Sequence, residues 1–171
     1  MRVAILTVSD SVARGVRDDT SGDAVADWCV GRGDAVVIRE TLGDETSDIT
    51  QRLVEWCDSA DLDLILTTGG TGLASRDLTP EATRAVIERD VPGISERIRL
   101  SCIESFPRAA LSRGVAGVRG STLIVNLPGS TTGVRDALAA LDPIVSHACE
   151  VLSGRITQHD STNTPTSIDP R

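Results

Sequence analysis

Four compact runs of branched apolar residues alternate with helical patterns along this chain, and that alternation most restricts its fold. The runs are "RVAILTV" (2–8), "AVVIRETL" (35–42), "LDLILTT" (62–68) and "STLIVNLPGS" (121–130). The first has no polar alternation, so it reads as a strand buried on both faces. Between the runs, apolar residues recur at helical spacing. Val25, Trp28 and Cys29 mark one helix, with Thr20 or Ser21 as its cap and Gly31 and Gly33 as its end. Ile49, Leu53, Val54 and Cys57 mark a second. Thr79 is expected to cap a third, with Pro80 where a missing N–H costs nothing. Ile94, Ile98 and Cys102 mark a fourth after "VPG". Two further helical stretches, 134–141 and 144–152, close the pattern, with Gly154 as the stop. The segments 9–22 and 106–120 read as irregular. Strands joined through helices require right-handed crossovers, so the expected fold is α/β: a three-layer, mostly parallel sheet with helices on both faces. Residues 1–155 form the expected domain, and the polar tail 156–171 is expected to be disordered.

Composition narrows the function. The chain has 171 residues and a net charge of −8, which disfavours nucleic acid and anionic membrane surfaces as partners. Its aromatic residues are Trp28, Trp56 and Phe106, too few to build a stacking platform for single strands. All 17 basic residues are Arg, which excludes a Walker-type phosphate loop and lysine-based covalent chemistry. Cys29, Cys57, Cys102 and Cys149 are dispersed within apolar helical patterns, which predicts buried, inert thiols rather than a zinc site. No run approaches the roughly 18 apolar residues of a membrane span, and no signal peptide is evident at the start, so a cytoplasmic location is expected.

In a parallel sheet, ligands bind beyond the carboxyl ends of the strands. The segments there are "SDS" (9–11), "GDE" (43–45), "TGGTG" (68–72) and "NLPGS" (126–130). Glycines at Gly69, Gly70 and Gly72 free the backbone to turn its N–H groups inward on an anion, and Thr67, Thr68 and Thr71 can add hydroxyl donors. A tight turn needing only positive φ would use the same residues; the position directly after a buried strand favours the phosphate cradle. Asp77 follows the loop and Asp44 follows the second strand. Each alone reads as an ordinary turn or helix-flanking carboxylate. As a pair on neighbouring strand ends they suit Mg²⁺, which takes one or two carboxylates and completes its shell with phosphates and water. Arg76 reads as a phosphate clamp or a surface residue. "NLPGS" offers a second anion site through Ser130. His147 and His159 lie outside these segments, and no Ser/His/Asp spacing supports a covalent hydrolase.

"LILTTGGTGLASRDLTPEAT" (64–83) and "LIVNLPGS" (123–130), with "ILTVSDS" (5–11), "DDTSG" (18–22) and "VPGISERIR" (91–99), resemble the signatures of the Mog/MoaB family of molybdenum-cofactor biosynthesis, nearest its molybdopterin adenylyltransferases. The resemblance runs from residue 1 to about 155. It implies a Mog-like α/β domain, a homotrimer, ATP and molybdopterin as substrates, and Mg²⁺. It implies transfer of AMP from ATP to the molybdopterin phosphate with release of pyrophosphate, ahead of metal insertion by a partner insertase. By the same resemblance Asp44 and Asp77 are the catalytic, metal-holding acids. Gly69, Gly70, Thr71, Gly72 and Arg76 are assigned to the nucleotide and its phosphates, and Ser9, Asp10, Pro128, Gly129 and Ser130 to the pterin. After "LPGS" many relatives carry Pro and a basic residue, whereas this chain has Thr131-Thr132-Gly133, so positive charge on the pterin side must come from Arg. The competing expectations are a MoaB-like protein without the transferase role, a non-catalytic pterin-binding or scaffold module, and a nucleotide-pyrophosphatase relative.

Overall fold

A computed structural model describes residues 1–104 and 106–154; the tail expectation for 156–171, and His159 with it, lies outside the described residues. The elements follow in the order β1 (Arg2–Val8), α1 (Asp10–Ala13), α2 (Thr20–Gly31), β2 (Ala35–Leu42), α3 (Thr46–Ser59), β3 (Leu64–Thr68), α4 (Thr79–Arg84), β4 (Arg89–Asp90), α5 (Pro92–Ile103), a 3₁₀ turn (Pro107–Leu111), β5 (Ala116–Arg119), β6 (Thr122–Leu127) and α6 (Thr131–Leu152). They build a six-stranded sheet in the order β2-β1-β3-β6-β5-β4. The β2-β1-β3-β6 half is parallel, and β5 and β4 add to it antiparallel.

The apolar runs form the centre because both of their faces are covered. Val3, Ile5, Leu64, Leu66, Leu123 and Val125 pack against α2, α5 and α6 through Val25, Ile98, Leu138 and Leu141. The alternate residues Ala4, Leu6, Val8, Ile65 and Ile124 pack against α3, α4 and the turn after α4 through Ile49, Leu53, Trp56, Ala82 and Val86. This is the expected three-layer arrangement. Burying each large aliphatic side chain contributes about 1.5–3 kcal/mol, so a core built almost without aromatics is sufficient. β2 lies at one edge, and its residues are exposed in alternation.

Several local expectations are corrected. The 9–22 segment is not all loop: Ser9 caps the single turn α1, and Asp19, not Thr20 or Ser21, caps α2 by accepting from the Gly22 N–H. On α3 the buried positions are Ile49, Leu53 and Trp56; Val54 and Cys57 are half-buried. Thr79 is the first residue of α4 rather than a hydrogen-bonding cap, and its buried hydroxyl finds no partner among the described residues. The 106–120 segment contains the 3₁₀ turn and β5. The two closing helices are one, α6, which runs through Pro143. The carbonyl bond that Pro143 removes belongs to Ala139, which lies on the exposed face of the helix. β2 and β3 are not neighbours, because β1 lies between them.

The cysteines follow expectation in burial, with Cys29, Cys102 and Cys149 buried and Cys57 half-buried. Burial pushes the thiols of Cys29 and Cys57 up to about 11 and that of Cys149 up to about 12.

Candidate active site

The carboxyl ends of β1, β3 and β6 point to one side, and their following loops meet there. Gly69 has φ +96°, and a Cβ on it would lie 2.2 Å from the Val8 carbonyl oxygen. Only glycine lets the loop after β3 fold back over the end of β1. Gly129, in the loop after β6, also approaches Gly69 closely: a Cβ there would lie 3.2 Å from the Gly69 Cα. The Thr68 hydroxyl donates to the Pro128 carbonyl at 2.7 Å and locks the two loops together. Beneath them the buried Asn126 donates to the hydroxyls of Thr67 and Thr83, both at 2.9 Å, and accepts from the Val115 N–H at 3.2 Å. That network fixes β3, β6, α4 and the approach to β5 relative to one another, and every polar atom of the Asn126 amide group serves in it.

Two hollows flank this platform. The larger, about 640 Å³, is walled by apolar side chains such as Ile98, Cys102, Phe106 and Leu111, with Arg99 and Arg108 at its margin. Thr71, Gly72, Pro128 and Ser130 line it. The smaller, about 240 Å³, is polar and includes Ser9, Asp18, Asp44, Thr68 and Gly69. Gly70, Asp77 and Gly129 line both and form the ridge between them.

The sequence-derived candidates are thus partly joined and partly redistributed. Gly69, Gly70, Thr71, Gly72, Asp77, Pro128, Gly129 and Ser130 converge. Ser9 lies with Asp44 in the polar hollow rather than with Ser130. Ser130 caps α6, accepting from the Gly133 N–H at 3.2 Å. Asp10 and Arg76 line neither hollow. Asp10 and Asp44 exchange hydrogen bonds across the first and second crossovers: the Asp10 N–H donates to Asp44 Oδ2 at 3.0 Å, and the Asp44 N–H to Asp10 Oδ1 at 3.1 Å. Arg76 pairs with Asp10 at 3.0 Å and with Glu45 at 2.9 Å. The Asp44 N–H, and then Arg76 and Arg14, hold the Asp10 carboxyl below the usual carboxylate range.

Asp77 is held by its own turn: Oδ2 accepts from the Ala74 N–H at 2.8 Å, and the Asp77 N–H donates to the Ala74 carbonyl at 3.0 Å. Neither Asp44 nor Asp77 enters an ion pair among the described residues, and both border the polar hollow, which Arg17 also lines. No cluster of three or more His, Cys, Asp and Glu suited to a metal occurs among the described residues. Two carboxylates beside a glycine cradle nevertheless fit Mg²⁺ arriving with phosphates, because that ion needs only one or two protein oxygens.

Sequence reasoning missed Asn126 and Arg113. Thr68, expected to add its hydroxyl to the loop, spends it on the Pro128 carbonyl, and the Thr67 hydroxyl is taken up by Asn126. Asn126 is the polar residue inside the last apolar run, which is itself a signal. Arg113 donates to the Gly72 carbonyl at 2.7 Å, to the Asp77 carbonyl and to Glu81. Nothing local in a Gly-rich stretch marks it.

Comparison with known proteins bears on this arrangement. Residues 4–147 match a family described as "Probable molybdopterin binding domain". The chain is 35% identical over 167 residues to the molybdopterin adenylyltransferase of Helicobacter pylori (strain J99), covering 95% of this chain and 94% of that one. It is 39% identical over 155 residues to the molybdenum cofactor synthesis protein cinnamon of Drosophila melanogaster, covering 90% of this chain but 26% of that one. Among solved structures, the molybdopterin biosynthesis enzyme MoaB of Thermus thermophilus superposes with a TM-score of 0.85 at 52% identity, covering 90% of this chain and 96% of that one.

Proposed function

The chain belongs to the molybdopterin-binding domain family, and on that footing we propose that it joins AMP to molybdopterin across the ridge between its two hollows. It is a molybdopterin adenylyltransferase of molybdenum-cofactor biosynthesis, similar over nearly its whole length to enzymes of that name. The observation that carries the geometric reading is the position of Asp77 and the Gly70–Gly129 ridge, shared by an apolar hollow and an acidic one. A transfer between two substrates needs such a shared boundary, where both reacting groups are held together.

In this reading the larger hollow, with Pro128, Gly129 and Ser130, receives the flat pterin against Ile98 and Phe106. The phosphates lie over Gly69–Gly72, where the turned backbone offers N–H donors. Asp44 and Asp77 would hold Mg²⁺; when bound, it neutralises charge on the triphosphate. A terminal phosphate oxygen of molybdopterin attacks the α-phosphorus of ATP, a new P–O bond forms, the α–β bridge breaks, and pyrophosphate leaves with its electron pair. No protein nucleophile or general base is required, since the attacking phosphate is already ionised. Positioning and charge neutralisation do the catalysis. Arg76 tethers the turn to Asp10 and Glu45, and Ser9 and Asp10 order the polar wall.

The same reading gives a homotrimer working in the cytoplasm. An insertase would take the product, in keeping with a cinnamon protein of which the matching region is only 26%. No described helix is long and apolar enough to cross a membrane.

The test is pyrophosphate release from ATP and Mg²⁺ with and without molybdopterin. Release should depend on the pterin and vanish in Asp77→Asn, with the circular dichroism spectrum and melting unchanged. Pterin binding without release would favour a binding module instead, and near-normal turnover in Asp77→Asn would remove the metal role.

A further inference from the structure

Arg113 lies outside every motif used above, yet it reaches into the site from behind. Its Nε donates to the Gly72 carbonyl at 2.7 Å, and its two terminal nitrogens donate to the Asp77 carbonyl and to Glu81 Oε1. Its backbone N–H donates to the Thr71 carbonyl at 2.9 Å. Both ends of the 72–77 turn, and the first turn of α4, therefore rest on one residue. The turn's internal bonds are few: Ala74 N–H to Asp77 Oδ2 at 2.8 Å, Asp77 N–H to Ala74 O at 3.0 Å and Leu78 N–H to Arg76 O at 2.9 Å. They close the turn on itself but do not set its orientation to the sheet. The outer tie, Arg76, is 54% exposed in its side chain, and such pairs contribute little. Arg113 is 32% exposed and serves three acceptors from three separate nitrogens of a planar fork, a spread that a lysine, with all its donors on one nitrogen, does not reproduce.

Glu81 completes the device. Burial opposes its ionisation, but the Arg113 hydrogen bond and the nearby charges of Arg113 and Arg84 hold its carboxyl below the usual range. Its Oε2 is buried with no partner among the described residues, although the side chain as a whole is 42% exposed, so without Arg113 one carboxylate oxygen and two backbone carbonyls would lose their donor. The turn would have to move to satisfy them.

We propose that Arg113 is the positioning residue of this site, fixing the 72–77 turn so that the Asp77 carboxylate stands on the ridge between the two hollows. The kinetic part of the inference rests on the adenylyl-transfer reading; the geometric part does not.

The experiment is hydrogen exchange on the ligand-free full chain, comparing wild type with Arg113→Gln, Arg113→Lys and Glu81→Gln. The amides of Ala74, Asp77 and Leu78 should exchange about tenfold or more faster in Arg113→Gln, with those of β3 and β6 unchanged. Arg113→Lys should fall between, and Glu81→Gln should loosen the turn less than Arg113→Gln. In pyrophosphate release, kcat should fall about a hundredfold in Arg113→Gln with KM for molybdopterin within about threefold, and Arg113→Lys should recover part of the rate. Unchanged exchange of the turn would overturn the proposal. So would equal loosening of β3 and β6, which would make Arg113 a general stabiliser. If Arg113→Gln does not fold, the lysine and Glu81 variants carry the same comparison. Faster turn exchange in a chain whose wild type releases no pyrophosphate would uphold the positioning role and sink the functional reading instead.

Discussion

At the scale of single residues, the glycines of the site are not equivalent to those elsewhere, and the difference is measurable. Gly69 combines a left-handed φ of +96° with a Val8 carbonyl oxygen 2.2 Å from where a Cβ would sit. That oxygen is the last carbonyl of β1, an interior strand paired on both sides, so it cannot retreat without shifting the end of that strand. Gly31, at the end of α2, has an ordinary φ and open space around it. Gly69→Ala is therefore expected to lower stability by about 2 kcal/mol or more and to abolish pyrophosphate release, because strain and collision add. Gly31→Ala should be neutral or raise stability by up to about 1 kcal/mol, since Ala is the better helix former. Denaturant melts of the two variants side by side check this. Equal effects would mean that the loop adapts and the close approach to β1 is not required.

At the scale of elements, α2 is anchored by one carboxylate with several partners. Asp19 accepts from the Gly22 N–H at 2.8 Å, from the Thr7 hydroxyl at 2.8 Å and from Arg39 at 2.8 Å, tying the helix start to β1 and β2. Burial raises its pKa, but Arg39, the Gly22 N–H and Thr7 together outweigh it, and the net shift is downward. A depressed carboxyl stabilises the fold fully above the unfolded value of about 3.9 and loses that contribution as pH falls through the lower folded value. Asp19→Asn keeps a good cap and removes the charge. It should cost about 1 kcal/mol at pH 7, and the gap to wild type should close below about pH 4. A gap that persists in acid would show that shape, not charge, is what matters there. The cap was expected at Thr20 or Ser21, which suit the role as well as Asp19 does; the Thr7 and Arg39 partners that hold Asp19 come from other elements and leave no local signal. Length explains the other missed elements. β1, β2, β3 and β6 were legible from branched apolar runs, whereas β4 is two exposed residues and β5 begins Ala-Gly with no such run. α1 is a single turn. Pro143 divided α6 on paper but not in the fold, where its neighbours on the buried face, Leu141 and Val145, continue the same stripe.

At the scale of the whole molecule, the parts of the site that belong to contiguous motifs were legible, and the parts assembled by the fold were not. The glycine loop, Asp77 and "LPGS" announce themselves because each needs a special residue at a special place. The division into two hollows depends on which loops the strand order brings together, so Ser9 joined Asp44 and not Ser130. Arg113 contacts Asp77 across 36 positions, a separation no local pattern spans. Assembly beyond one chain is a further step of the same kind. The single chain leaves Leu73, Leu100 and Val30 between 65% and 72% exposed, apolar area of the kind that a subunit interface would cover. If the trimer is the working form, folding and association are linked, and the thermal midpoint must rise with protein concentration. Light scattering should then give a mass about three times the 18.0 kDa of one chain, and a tenfold dilution series should lower the midpoint. A single-chain mass with a midpoint independent of concentration would contradict the trimer. It would also require both hollows to bind their substrates with walls from one chain alone, which pterin affinity at high dilution would then reveal.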